Sequence, residues 1–178
     1  MKKILFLLTL VCCLGCSEST TDMDESDAQQ VFNSIKGTYV GNILVDNVPQ
    51  KVYLIVDDNF TMKYLPVRPI LERIFTGAAL DEAEQSAGSV AFTATLDLMT
   101  VAGSNSHLHM KPTDLVFTVT VDGKSYKVDA LMEGMLYANT TYDELSMSMD
   151  VTELNCDGVK YDMVNNGVNY FVDNAKKE

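Results

Sequence analysis

Residues 115–137 read LVFTVTVDGKSYKVDALMEGMLY, and their period decides the fold. Leu115, Phe117, Val119 and Val121 alternate with Val116, Thr118 and Thr120, the period of two that sends successive side chains to opposite faces of a strand. Asp122-Gly123 supplies the residues that a tight hairpin turn demands, and Tyr126, Val128, Ala130 and Met132 continue the alternation on a returning strand. Gly134 falls inside this second run, which carries on through Met135 and Tyr137. The spacing predicts one long strand bent at a glycine or a bulge.

The same period extends in both directions. Downstream, Leu145, Met147, Met149 and Val151 alternate with Ser146, Ser148, Asp150 and Thr152, and Tyr161 and Met163 lead through Asn165-Asn166-Gly167 to Val168, Tyr170 and Val172. Upstream, Tyr39, Gly41, Ile43 and Val45 share one face of a strand, and Val52, Leu54 and Val56 turn at Asp57-Asp58-Asn59 into Phe60, Met62 and Tyr64. Val90, Phe92, Ala94, Leu96 and Leu98 form a further inward row. Two segments depart from the pattern. Ser26-Asp27-Ala28-Gln29 has capping-box spacing ahead of Val31, Phe32 and Ile35, and Pro69 opens a helical insertion carrying Ile70, Leu71, Ile74 and Phe75 that resumes near Leu80. The expected fold is all-β, an antiparallel up-and-down barrel of about eight to nine strands with an N-terminal capping helix and a short helical insertion. Closure follows because long strands joined by tight turns would leave open edges in a flat sheet; a β-sandwich is the alternative.

With 178 residues the chain holds one domain. Its 13 Lys+Arg against 25 Asp+Glu give a formal charge of -12, which a phosphate backbone would repel, so nucleic acid is excluded as a partner. Nearly half the residues are apolar (47%), which places the acid on the surface of a folded domain.

Lys2 and Lys3 precede an uncharged run at residues 4–14, the length of a signal-peptide core and short of the ~20 residues that span a bilayer. The run ends in Leu14-Gly15-Cys16, which resembles the lipobox of bacterial lipoproteins, with Cys13 at the position usually held by Leu. The resemblance implies cleavage before Cys16, loss of Cys12 and Cys13 with the signal, and acylation of Cys16. Several acyl chains contribute ~0.8 kcal/mol per buried methylene, enough for lasting attachment to a lipid bilayer. Ser17 in place of aspartate favours outer-membrane sorting, and the acidic residues between Ser17 and Asp27 resemble the export tether of surface lipoproteins in Bacteroides-like bacteria. The expected organisation is signal peptide 1–15, acidic tether 16–25, barrel domain 26–173 and loose tail 174–178.

A short helix followed by Gly37-Thr38-Tyr39 is similar to the Gly-x-Trp opening of lipocalins and other calycins, with Tyr39 in the place of tryptophan. The arginine that lipocalins bring over that tryptophan from a late strand has no counterpart near Tyr170. With the lipobox and the strand order, the chain resembles the calycin-like lipoproteins of unknown function from Bacteroides-type bacteria.

Catalytic chemistry is not in evidence: no phosphate-binding loop, zinc-protease helix or G-x-S-x-G elbow occurs. His107-Leu108-His109 would place two imidazoles on one face of an extended segment, with Asp97 or Asp114 as supporting ligands that no spacing rule selects, and reads as a pair of exposed loop histidines rather than a metal site. Asp57-Asp58-Asn59 lacks the ligand pattern of a calcium loop, Asn139-Thr140-Thr141 matches a glycosylation sequon but reads as chance because the lipobox resemblance implies a bacterial source, and Cys156 beside Asp157-Gly158 is expected to be a partly buried structural thiol. Met132 and Met135 are expected to face Met147 and Met149 as core filling or as an adaptable thioether surface. No cofactor and no metal are expected. The functional expectation is a membrane-anchored, non-enzymatic lipoprotein that binds a small apolar or amphipathic ligand inside the barrel. The alternative is a surface interaction module that docks a protein or glycan.

Overall fold

The computed structural model describes residues 25–45, 47–102, 105–163 and 167–178. The expectations placed on the signal run, on Cys12, Cys13, Cys16 and Ser17, on most of the acidic tether and on Asn165-Asn166 lie outside the described residues. The elements run α1 (Glu25–Ile35), β1 (Gly37–Val45), β2 (Val48–Val56), β3 (Phe60–Lys63), α2 (Arg68–Leu71), α3 (Ala78–Ala87), β4 (Ala91–Ala94) and β5 (Leu96–Ala102). They continue as β6 (Asn105–Val121), β7 (Lys124–Asn139), β8 (Glu144–Cys156), β9 (Val159–Tyr161) and β10 (Val168–Lys177).

Nine of these strands follow one path, β4-β3-β2-β1-β10-β8-β7-β6-β5, while β9 pairs beside β8. Every pairing is antiparallel. The two ends of the path, β4 and β5, are consecutive in the chain with Thr95 alone between them. The sheet therefore returns on itself as a nearly closed up-and-down barrel, and the sandwich is not formed. Asp122 and Gly123 both take positive φ, 50° and 71°, the geometry that matches a two-residue turn to the twist of its strands.

One seam remains. β5 pairs with β6 from Leu96↔Met110 to Ala102↔Asn105, and the Lys111 amide still donates to the Thr95 carbonyl at 3.0 Å. Beyond that point β6 continues to Val121 while β4 has turned to pair with β3. Helix α3 packs along this stretch of β6. Its Ser86 hydroxyl accepts from the Thr120 amide at 2.7 Å and its Glu82 carboxylate from the Asp122 amide at 3.1 Å. The helical insertion thus supplies acceptors that a strand would otherwise provide, which protects an exposed edge.

The long strands, 17, 16 and 13 residues in β6, β7 and β8, coil around the barrel by taking up extra residues. The register slips by one between Met110 and Thr113 on β6, opposite Met132 on β8, and between Val172 and Ala175 on β10. Each slip turns two neighbouring residues outward, Lys111-Pro112, Thr152-Glu153 and Asp173-Asn174. Such bulges increase local twist, and a bulge is where a strand tolerates proline. β7 has no bulge of its own. Gly134 takes an inward position there, where an added Cβ would run into the Ser148 carbonyl and come within 2.7 Å of Met110 Cε and 2.8 Å of Met149 Cα.

Inward side chains fill the barrel. Phe60, Phe92, Met62 and Met132 are buried to within 1% of their surface, as are Tyr39 and Tyr170. Tyr39 closes one end: its hydroxyl hydrogen is shared between the carbonyls of Ile35, at 2.6 Å, and Tyr142, at 3.2 Å. Burial pushes that hydroxyl up to about 12, so it stays a donor. Lys177 reaches back over the Tyr39 ring, 5.5 Å from its centre, and donates to the Ser34 carbonyl at 3.0 Å. The contacts of Val31 and Phe32 with the core and of Lys36 with Asp58 (2.7 Å) lay α1 across this end. At the other end Tyr170 donates to the Pro66 carbonyl at 2.8 Å beneath α2, whose Ile70 and Leu71 are fully buried.

Two expectations are corrected. Residues 174–178 are not a loose tail: β10 runs to Lys177, Ala175 is fully buried, and the Glu178 amide donates to the Thr38 carbonyl at 2.9 Å. The four methionines do not share a face either. Met132, Met147 and Met149 point inward, but Met135 lies on the outer wall, because Gly134 occupies the inward place between Met132 and Leu136.

Gly134→Ala is expected to overpack the contact with Ser148 and Met149 and to cost about 1–3 kcal/mol. Urea unfolding reads this as a lower midpoint at unchanged slope. A midpoint equal to that of the natural chain would show that the close approach is not there.

Candidate functional site

The bulge on β10 shapes the outer wall. β10 pairs with β1 on one edge and β8 on the other, and both ladders slip in the same place, around Asp173-Asn174. Asn174 takes φ 50°. Its amide donates to the Ser146 hydroxyl at 3.0 Å, and that hydroxyl donates to Asp173 at 3.2 Å, so one serine on β8 holds both residues of the bulge. On the other side β1 places Gly41 against it, where a Cβ would meet Val172 at 2.6 Å and Ala175 at 2.9 Å. Glycine is the residue that lets the two strands approach.

Over this region lies a hollow of about 480 Å³ with Gly41, Val40, Leu44 and Phe171 as its apolar surface and Asn42, Asn169, Asp173 and Asn174 among its polar lining. Phe171 is 56% exposed and Leu44 67%, large apolar side chains left facing water beside one another. Asn169 is held by donation to Asp150 at 2.9 Å and to Ser148 at 3.3 Å. A second hollow of about 100 Å³, lined by Tyr137, Asn139, Glu144 and Ser146, shares Asn174 with the first. Together they form a trough across β1, β10, β8 and β7, three interstrand steps or about 14 Å. Lys176, paired with Glu144, is also part of its lining.

The far end of the trough is stiffened by the turn between β7 and β8. Asp143 accepts from Thr141 at 2.5 Å and from Asn139 at 2.7 Å, and these bonds hold its carboxyl below the usual range. Asn139 is thus committed to the turn, since its side-chain oxygen also accepts from the Asp143 amide at 3.2 Å.

The residues singled out in the sequence fall elsewhere. Cys16 lies outside the described residues. His107 and His109 are not exposed loop residues: β6 begins at Asn105, and both stand half-buried on its outer wall. Asp97 is opposite His109, but its carboxylate pairs with Lys111 at 3.1 Å, and Asp114 lies beyond the bulge opposite Leu131. Asp57 and Asp58 pair with Lys36 rather than with each other's ligands. Cys156 is buried, and burial pushes its thiol up. Phe171, Asn169 and Asn42 were not singled out; their signal is an aromatic side chain on the polar phase of an alternating strand, V-N-Y-F-V-D. Among the described residues no helix is long and apolar enough to cross a membrane.

No curated protein and no solved structure matches the chain. Residues 34–156, from the end of α1 through β8, match a family described as a domain of unknown function, DUF4840, and the chain belongs to that family.

Proposed function

We propose that this chain is a calycin-like bacterial lipoprotein, held at the outer membrane through acylated Cys16, whose outer-wall trough docks a glycan. The anchor rests on Lys2, Lys3, the apolar run and Leu14-Gly15-Cys16. The calycin-like reading gains support from Tyr39 and Lys177, an aromatic ring at the opening of the first strand covered by a cation from the last, as tryptophan and arginine are in lipocalins.

The observation that carries the glycan reading is the exposed Phe171 ring set among Asn42, Asn169, Asn174 and Asp173. A sugar presents an apolar C–H face and a rim of hydroxyls that both donate and accept. Phe171 matches the face, carboxamides match hydroxyls in both senses, and a carboxylate accepts from them. A stable protein partner would bury roughly 800 Å² of this surface around aromatic or arginine anchors, which suits the small, polar-rimmed trough less well. The interior favours an outside site as well, since large side chains occupy it and helices cover both ends.

Phe171→Ala is expected to weaken binding on a glycan array about tenfold or more, in line with loss of a central aromatic contact. Because Phe171 is already exposed, the melting temperature should barely move. Glycan binding that survives Phe171→Ala, or a chain that binds fatty-acid probes and no glycan, would contradict the reading.

Cys16→Ala is expected to abolish labelling by a fatty-acid analogue and to release the protein from the membrane fraction. Labelling that persists in the variant would overturn the anchor.

A further inference from the structure

The outer faces of β6 and β7 hold a group of side chains of which the trough uses Tyr137 alone. His107 and His109 alternate with the fully buried Leu108 and the inward Met110, so both imidazoles stand half-buried on the outer wall. Across the ladder His107 is opposite Tyr137 and His109 opposite Met135. Directly opposed residues on one face have Cβ atoms ~4.5–5.5 Å apart, so the four form a two-by-two block.

Tyr137 organises that block. Its ring meets His107 edge-on, with centroids 5.0 Å apart and planes at 77°. Its hydroxyl donates to Met135 Sδ at 3.6 Å, and a thioether sulfur keeps a second lone pair when one is engaged. The same tyrosine therefore orients an imidazole and a thioether without closing off either. The carboxylate opposite His109, Asp97, is taken by Lys111, and among the described residues no three His, Cys, Asp or Glu side chains converge on a common point, Glu133 on the same face of β7 included.

The available donors are thus two imidazoles and one thioether. Zinc sites draw on imidazole, thiolate and carboxylate ligands, in most structural sites four of them. Thioethers instead select soft cations such as Cu(I), which imidazole also accommodates. We propose that His107, His109 and Met135 form a three-donor site for a soft monovalent cation of the Cu(I) class, with Tyr137 as its positioning residue. The site adjoins the trough at Tyr137, which lines the smaller hollow, but its three donors lie outside that lining and its test does not depend on glycan binding.

Ag(I), a soft monovalent probe with no redox step, tests the proposal in protein carrying ¹³C-methyl methionine. One equivalent is expected to shift the Met135 methyl resonance and to leave those of the buried Met132, Met147 and Met149 in place. Met135→Leu preserves volume and is half-exposed, so the fold should persist while Ag(I) affinity falls about tenfold or more, as does that of His107→Ala/His109→Ala. A Met135 resonance that stays still, including the case in which a thiol captures the Ag(I), would overturn the site. So would a Met135→Leu variant that binds as tightly as the natural chain.

Discussion

The structure depends on β10 finding partners on both of its edges. β1 and β8 are separated by about a hundred residues of chain, and neither edge is satisfied until the last strand inserts between them. That insertion removes two unpaired ladders at once, and it is the most non-local step in the barrel, with Tyr39 paired to Lys177 and the loop-closure entropy that such a separation entails. The remaining gap, between β4 and β6, is narrow enough for one helix to cover with two side-chain acceptors.

The site is a consequence of that closure. A strand that must match β1 on one side and β8 on the other takes up one extra residue, and both ladders absorb it around Asp173-Asn174. The bulge turns two polar residues outward together beside Phe171, which the regular alternation of β10 already faces to water, and sets Val172 and Ala175 against Gly41. Closure also fixes the ends, because Lys177 lies over Tyr39 and bonds the last turn of α1 only when β10 is docked. Filling the inside and shaping the outside are therefore one event.

Much of this was legible along the chain. The alternation in β6 and β8, the Asp122-Gly123 turn, the hairpin at Asp57-Asp58-Asn59 and the proline-led insertion all carry local signals that the structure repeats. What was not legible is whatever depends on an extra residue. After Val172 the period breaks at Asp173-Asn174, which looks like the end of a strand, yet the bulge resets the phase and Ala175 and Lys177 continue it. Hence the expected loose tail, and hence Lys177 went unnoticed as the partner of Tyr39. Gly134 misled in the opposite sense. A glycine amid a long strand suggested a change of phase that would bring Met135 inward, but the slips sit on β6 and β8, and β7 keeps strict alternation. Cys16 is the reverse case, a residue read entirely from its neighbours in the chain.

Native-state hydrogen exchange of the β10 amides, measured alongside those of β7, tests the closure most directly. If β10 holds the barrel shut, its amides open only with global unfolding and share the free energy of the most protected amides in β7. Exchange of β10 at a clearly lower free energy, with β6, β7 and β8 still protected, would contradict it. The barrel would then survive the loss of its last strand, and the outer-wall trough would be an appendage rather than a product of the fold.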